Sequence, residues 1–227
     1  MKASEKRAAA SKKEPSAWDY LWYALYAFAG LGLEMVLLGL IEPLFLGNAD
    51  GYGTPERILH WTLTILCWAA VIVLLVKSSR KRLHYDVRSS SRPSAGGICF
   101  SAVLTAACIF LNACDWGTLK IVGEFSRKGL LEFLFQYLYY AFEIGLVFLI
   151  VVFGQRFFEA LLKKKSRVPF GGIVLCCTWG AIHILSRGNV LTGLGVMAFA
   201  LIYGMLYLAM SRNTKAAFFA MLAAFII

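Results

Sequence analysis

Four ionisable side chains stand inside long apolar runs: Glu34, Glu143, Arg156 and His183. Charge in hydrocarbon is costly, so such residues face a bundle interior, a cavity or a partner. A membrane-buried Glu such as Glu143 can act as a proton carrier, and with His183 and Glu34 in the same layer it could define a site. Taking inner ends at Trp18, Leu162 and Pro169, the helical rise puts Glu34 about 24 Å deep, Glu143 about 29 Å and His183 about 21 Å. All three are therefore expected in one layer in the outer half of a bilayer. A metal site needs at least three protein ligands, so this trio is the only acidic and imidazole set at that depth for a transition metal such as Zn. The expectation is no cofactor, with a metal only if the protein is an active enzyme.

A second pattern surrounds Glu143. Glu132, Gln136, Tyr139 or Tyr140, and Glu143 recur at helical spacing, forming a polar stripe on one face. It reads as a wet groove or substrate cavity opening outward, or as hydrogen bonding within a bundle. Arg156 lies just before the Lys163–Lys165 cluster and either snorkels to the interface or pairs with Glu159 at i+3. His183 follows Trp179 by one turn and is either a packed, hydrogen-bonded residue or a ligand. No GxSxG or Ser/His/Asp arrangement supports nucleophilic catalysis. The six cysteines lack CxxC spacing, sit mostly in apolar runs and read as small buried hydrophobes.

The elements that must position these residues are membrane helices. The 227-residue chain is 59% hydrophobic and 16% charged, with mean hydropathy +0.68. Soluble domains carry roughly 25% charged residues. Residues 1–17 form a polar, basic tail, and residues 18–227 a single transmembrane helical domain. Apolar segments run Trp18–Leu46 (ending or bending near Glu42–Pro43), Ile58–Val76, Gly97–Ala113, Gly129–Leu162, Phe170–Leu185, Val190–Met210 and Thr214–Ile227. A bilayer core of about 30 Å needs around 20 helical residues, so six to seven spans are expected, the last being the shortest.

The net charge of +10 follows topology. Alternate connections, starting with the N-terminal tail, hold 17 Lys and Arg against 5 in the opposite set. Cytoplasmic loops carry the positive excess, which predicts a cytoplasmic N-terminus and, with seven spans, an outer C-terminus. It argues against nucleic-acid binding and for attraction to anionic lipid headgroups.

The stretch from Val151 to His183 resembles the CPBP family of intramembrane proteases (the Abi or type II CAAX-protease family). The family shows EExxxR, then FxxxH about two dozen residues on, and a closing helix with HxxxN or HxxxD. Here VVFGQR, Val151–Arg156, stands at the first motif and WGAIH, Trp179–His183, at the second. The run GMLYLAMSRNTKAAFFAMLAAFII is similar to the closing helix pair. The resemblance covers about the last 80 residues by layout. It implies a CPBP-like C-terminal half in which Arg156 and His183 match and Trp179 replaces phenylalanine. Val151 and Val152 replace both glutamates, and the closing helix lacks its histidine. Two valines supply neither a base nor an oxyanion clamp.

The resulting expectation is an all-α polytopic membrane bundle acting as a catalytically inactive accessory or scaffold subunit. Its partners would be the lipid bilayer and either a membrane protein or a hydrophobic or lipidated peptide, and its place a bacterial plasma membrane. Glu34, Gln136, Tyr139, Tyr140, Arg156 and Trp179 would line the binding region. The alternatives are an intramembrane protease using Glu143 and His183, and a transporter component with Glu143 as its proton or ion site.

Overall fold

The computed structural model describes residues 14–88 and 91–227. The first 13 residues, most of the basic tail, lie outside it. Among the described residues the chain is helical with no strand. We number the helices α1 (Ala17–Leu44), α2 (Thr54–Arg82), α3 (Ala95–Trp116), α4 (Lys120–Arg127), α5 (Leu130–Leu161), α6 (Phe170–Ser186), α7 (Val190–Ala209) and α8 (Thr214–Ile226). Five of them, α1, α2, α3, α5 and α7, are long and apolar enough to cross a membrane, and the protein is an integral membrane protein. At 13 residues α8 is about 20 Å long, and α6 is also an apolar helix shorter than these five.

Local sequence sets the helix ends. Asp19 accepts from the Ser16 backbone N–H at 2.7 Å, closing a capping box on α1. Ser94, Asn189 and Asn213 cap α3, α7 and α8 by accepting backbone N–H groups. Pro55 occupies the first turn of α2, whose last turn carries Arg80, Lys81 and Arg82 opposite the helix dipole. Gly117 closes α3 in the left-handed region at φ 69°.

Apart from α4, the helices alternate up and down. At one end Tyr23 meets Ser78 at 2.6 Å, Trp18 packs on Phe157, Arg212 reaches Glu159 and Thr214 donates to the Val87 carbonyl. At the other, Tyr139 donates to Glu34, Arg57 to Glu132, Asn112 to the Ala224 carbonyl and Tyr137 to the Ile226 carbonyl. The first end gathers the cations of α2 and the α5–α6 connection and is called basic below. The second gathers Glu34, Glu42, Glu56, Glu124 and Glu132 and is called acidic.

Helix α5 is the axis, buried along most of its second half, whereas α3 buries only Ser101 and Cys108 among its described residues. Ile144, Leu146, Val147, Ile150, Val151 and Phe153 are fully enclosed. Backbones approach closely where glycines remove Cβ. A Cβ on Gly171 would lie 2.1 Å from the Val151 carbonyl oxygen, and one on Gly204 2.6 Å from Gly172. Close approach through small residues is how membrane helices associate when lipid is as apolar as their side chains. The burial expected for cysteines holds for Cys108; Cys99, Cys114 and Cys177 lie on the outer surface, and all six are free thiols.

Candidate functional site

Helix α1 changes pitch between two glutamates. After Leu33–Val36 it widens into a π-turn over Leu37–Ile41 and ends in a 3-10 turn over Glu42–Leu44, where Pro43 stands. In an unbroken α-helix, eight residues of separation would set Glu42 about 80° around from Glu34. The π-turn holds about one extra residue, which brings the two to within about 20° of one face. Both then reach His60 on α2.

The His60 Nδ1 lies 2.9 and 3.1 Å from the two Glu42 oxygens, and its Nε2 lies 3.5 Å from Glu34 Oε1. Glu42 is fully buried and His60 nearly so. Tyr52 donates to Glu42 at 3.1 Å and Tyr139 to Glu34 at 2.8 Å. A neutral imidazole has one N–H and serves one carboxylate; the imidazolium serves both. The set can therefore hold a proton between two acids. In the α1–α2 connection, burial and then the Glu42 carboxylate push the Tyr52 phenol up, keeping it a donor.

The polar stripe of α5 is present but is divided among neighbours. Glu132 accepts from Arg57 Nε at 2.6 Å and Thr54 at 3.0 Å. Gln136 donates to the Tyr140 hydroxyl at 2.6 Å and to Glu124 at 3.2 Å, and accepts from Lys128. Tyr140 donates to Glu124 at 2.8 Å. Lys120 stands over the Tyr140 and Phe225 rings at 4.6 and 4.1 Å. Glu124 is nearly fully buried. Burial pulls the Lys128 ammonium down, opposed by the Glu124 and Glu132 charges. Gln136 and Tyr140 thus hold short α4 against the bundle, while Glu132 ties α5 to α2.

Glu143 and His183 meet through Trp179. The indole donates to Glu143 Oε1 at 3.3 Å, and His183 Nδ1 lies 2.5 Å from the Trp179 carbonyl, with the rings 5.0 Å apart. Trp179 sits in a second π-turn, Cys176–Gly180. Glu34 thus accepts from Tyr139 and faces His60, while Glu143 and His183 both contact Trp179. Among the described residues no group of three or more His, Cys, Asp or Glu is arranged to hold a metal ion.

Toward the basic end, Val151 and Val152, which stand where the resemblance would have glutamates, are 0% and 1% exposed in the core. Arg156 lies over the Tyr20 and Tyr85 rings at 5.4 and 5.7 Å. It does not pair with Glu159, whose Oε1 instead accepts from Arg212 Nη2 at 2.5 Å, the Ser166 N–H at 3.1 Å and Gln155 at 3.1 Å. The aromatic rings offer the guanidinium a cation–π seat, while Arg212 comes from the distant α7–α8 turn to neutralise Glu159.

Sequence reasoning missed Glu42, His60, Glu124 and Lys128. Glu42 looked like the end of a span and His60 like its start. Only the pitch of α1 and the placement of α4 bring them into the bundle. Comparison of the chain with protein-family models, curated proteins and solved structures finds no match in any of the three.

Proposed function

We propose that the chain is a seven-crossing integral membrane protein of the bacterial plasma membrane, with its N-terminus cytoplasmic and its C-terminus outside. It acts without catalysis as an accessory or scaffold subunit for a membrane-protein partner or a hydrophobic, lipidated peptide. The observation that carries this reading is the interior of α5, where Val151 and Val152 are sealed by close packing and a Cβ on Gly171 would strike the Val151 carbonyl. A hydrolase needs a base and an activated water at its scissile bond, and at these two positions the chain offers buried valines instead. Glu143 and His183, the remaining pair, are engaged by Trp179. The outlying helix α3 leaves Ile98, Phe100, Val103, Phe110 and Leu111 on its outer surface, a face available to lipid or to a partner helix.

Native mass spectrometry in mild detergent, with a lipidated-peptide cleavage assay on the same sample, tests this reading. The expected result is a stoichiometric membrane-protein partner and no cleavage. Cleavage abolished by Glu143→Gln or His183→Ala, with helicity intact, would overturn it.

A second reading is favoured by the buried Glu34–His60–Glu42 set: a transporter component in which these residues, rather than Glu143, carry the proton. It predicts proton-dependent uptake in vesicles that Glu42→Gln eliminates; uptake indifferent to Glu42→Gln and Glu34→Gln rejects it.

A further inference from the structure

At the basic end the seam between α1 and α2 opens into a cleft of about 800 Å³. Its rim carries Lys77, Lys81 and Arg82 from the last turns of α2, and its wall is formed by Trp22, Tyr26 and Leu74. That volume falls within the range of small-molecule sites.

The charges of the cleft are unevenly answered. Arg80, next to these cations in sequence, makes a two-pronged pair with Asp86 at 2.9 and 2.8 Å. Among the described residues Lys77, Lys81 and Arg82 have no carboxylate within ion-pair distance. The one acid on the lining, Asp19, caps the start of α1 by accepting from Ser16. Three cations therefore face one engaged carboxylate. Below them, Trp22 and Tyr26 stack at 6.0 Å and are about half exposed, at 55% and 51%. Tyr23 is fixed behind them by its 2.6 Å hydrogen bond to Ser78. From Lys81 to Leu74, or from Asp19 to Tyr26, is seven residues, about 10 Å along either helix.

We propose that this cleft is a binding site for an anionic phospholipid, with the phosphate held by Lys77, Lys81 and Arg82 and an acyl chain lying along Trp22, Tyr26 and Leu74. Basic pockets between membrane helices take anionic headgroups, and Trp and Tyr favour headgroup depth. The apolar wall separates a lipid from free phosphate: about 10 Å of aromatic and leucine surface gives an inorganic anion nothing, whereas it covers the first carbons of an acyl chain. The inference does not depend on the partner or the absence of catalysis proposed above.

The test uses the full chain, delipidated in neutral detergent and titrated with phosphatidylglycerol or phosphatidylcholine, read by native mass spectrometry and by quenching of tryptophan fluorescence with brominated acyl chains. Wild type is expected to retain phosphatidylglycerol and release phosphatidylcholine. At about fivefold per cation, Lys77→Gln/Lys81→Gln/Arg82→Gln is expected to weaken retention by about 100-fold at low salt. Arg80→Gln, outside the cleft, is expected to bind as wild type does. Equal retention of the two lipids by wild type, undiminished retention by the triple variant, or equal loss in Arg80→Gln would overturn the proposal. Displacement by inorganic phosphate at the lipid's own concentration would overturn it in favour of a free-anion site. If the triple variant does not fold, the wild-type comparison decides: quenching by brominated phosphatidylglycerol alone supports the site, and equal quenching by brominated phosphatidylcholine rejects it.

Discussion

Replacing His60 by alanine removes the ring that stands between two acids. Glu42 is 0% exposed; it would lose its contacts at 2.9 and 3.1 Å and keep only the Tyr52 hydroxyl at 3.1 Å. Breaking a buried charged pair from one side costs about 3–5 kcal/mol because the other charge is left uncompensated. Glu42→Gln alone retains a group that Tyr52 can donate to and removes the charge, so its expected cost is about 1–3 kcal/mol. The double variant leaves no charge at the Glu42 position, and Glu34 keeps the Tyr139 hydroxyl in both His60→Ala backgrounds, so its loss of the ring cancels in the cycle. The double variant should therefore be less destabilised than the sum of the singles, with a coupling of about 1–3 kcal/mol. Alanine also leaves a cavity, which is why the coupling and not the single value tests the interaction. The assay is equilibrium unfolding in mixed detergent micelles, followed by tryptophan fluorescence and far-UV circular dichroism. A His60→Ala protein within about 0.5 kcal/mol of wild type, or a cycle additive within about 0.5 kcal/mol, would refute the reasoning.

Two further outcomes follow from the packing and the loop charges. Gly171→Ala, whose Cβ would meet the Val151 carbonyl at 2.1 Å, must push α6 from α5 and is expected to cost about 3 kcal/mol. Gly96→Ala, with nothing within 4 Å, should gain up to about 1 kcal/mol from helix propensity, and equal unfolding midpoints for the two variants would contradict the packing. The Arg88 backbone N–H, with the Arg80 guanidinium, holds the Asp86 carboxyl below its ordinary value of 3.8. A depressed folded-state value means a contribution present above pH 3.8 that is lost as pH falls through the folded value. An aspartate-selective NMR titration should place this midpoint below 3.8, and a midpoint at or above it would show the hydrogen bonds to be absent.

The ability to cross a membrane was legible in the sequence because it depends on composition along one dimension. Residue hydropathy and length identify α1, α2, α3, α5 and α7 without knowledge of any neighbour. The helix breaks near Glu42–Pro43 and the polar stripe of α5 were legible for the same reason, since proline chemistry and helical spacing are local. Tertiary structure decided which polar groups meet. Depth alone set Glu34, Glu143 and His183 in one layer and left their azimuths open; the packing puts Glu34 on His60 and Tyr139, and Glu143 and His183 on Trp179. Glu42 reaches His60 through a π-turn that adds one residue to a helix turn. Arg156 gives up its neighbour Glu159, three residues along the same helix, to Arg212 from another part of the chain. A side chain's depth follows from its own helix, but its partner depends on rotations and crossings set by packing across the whole bundle.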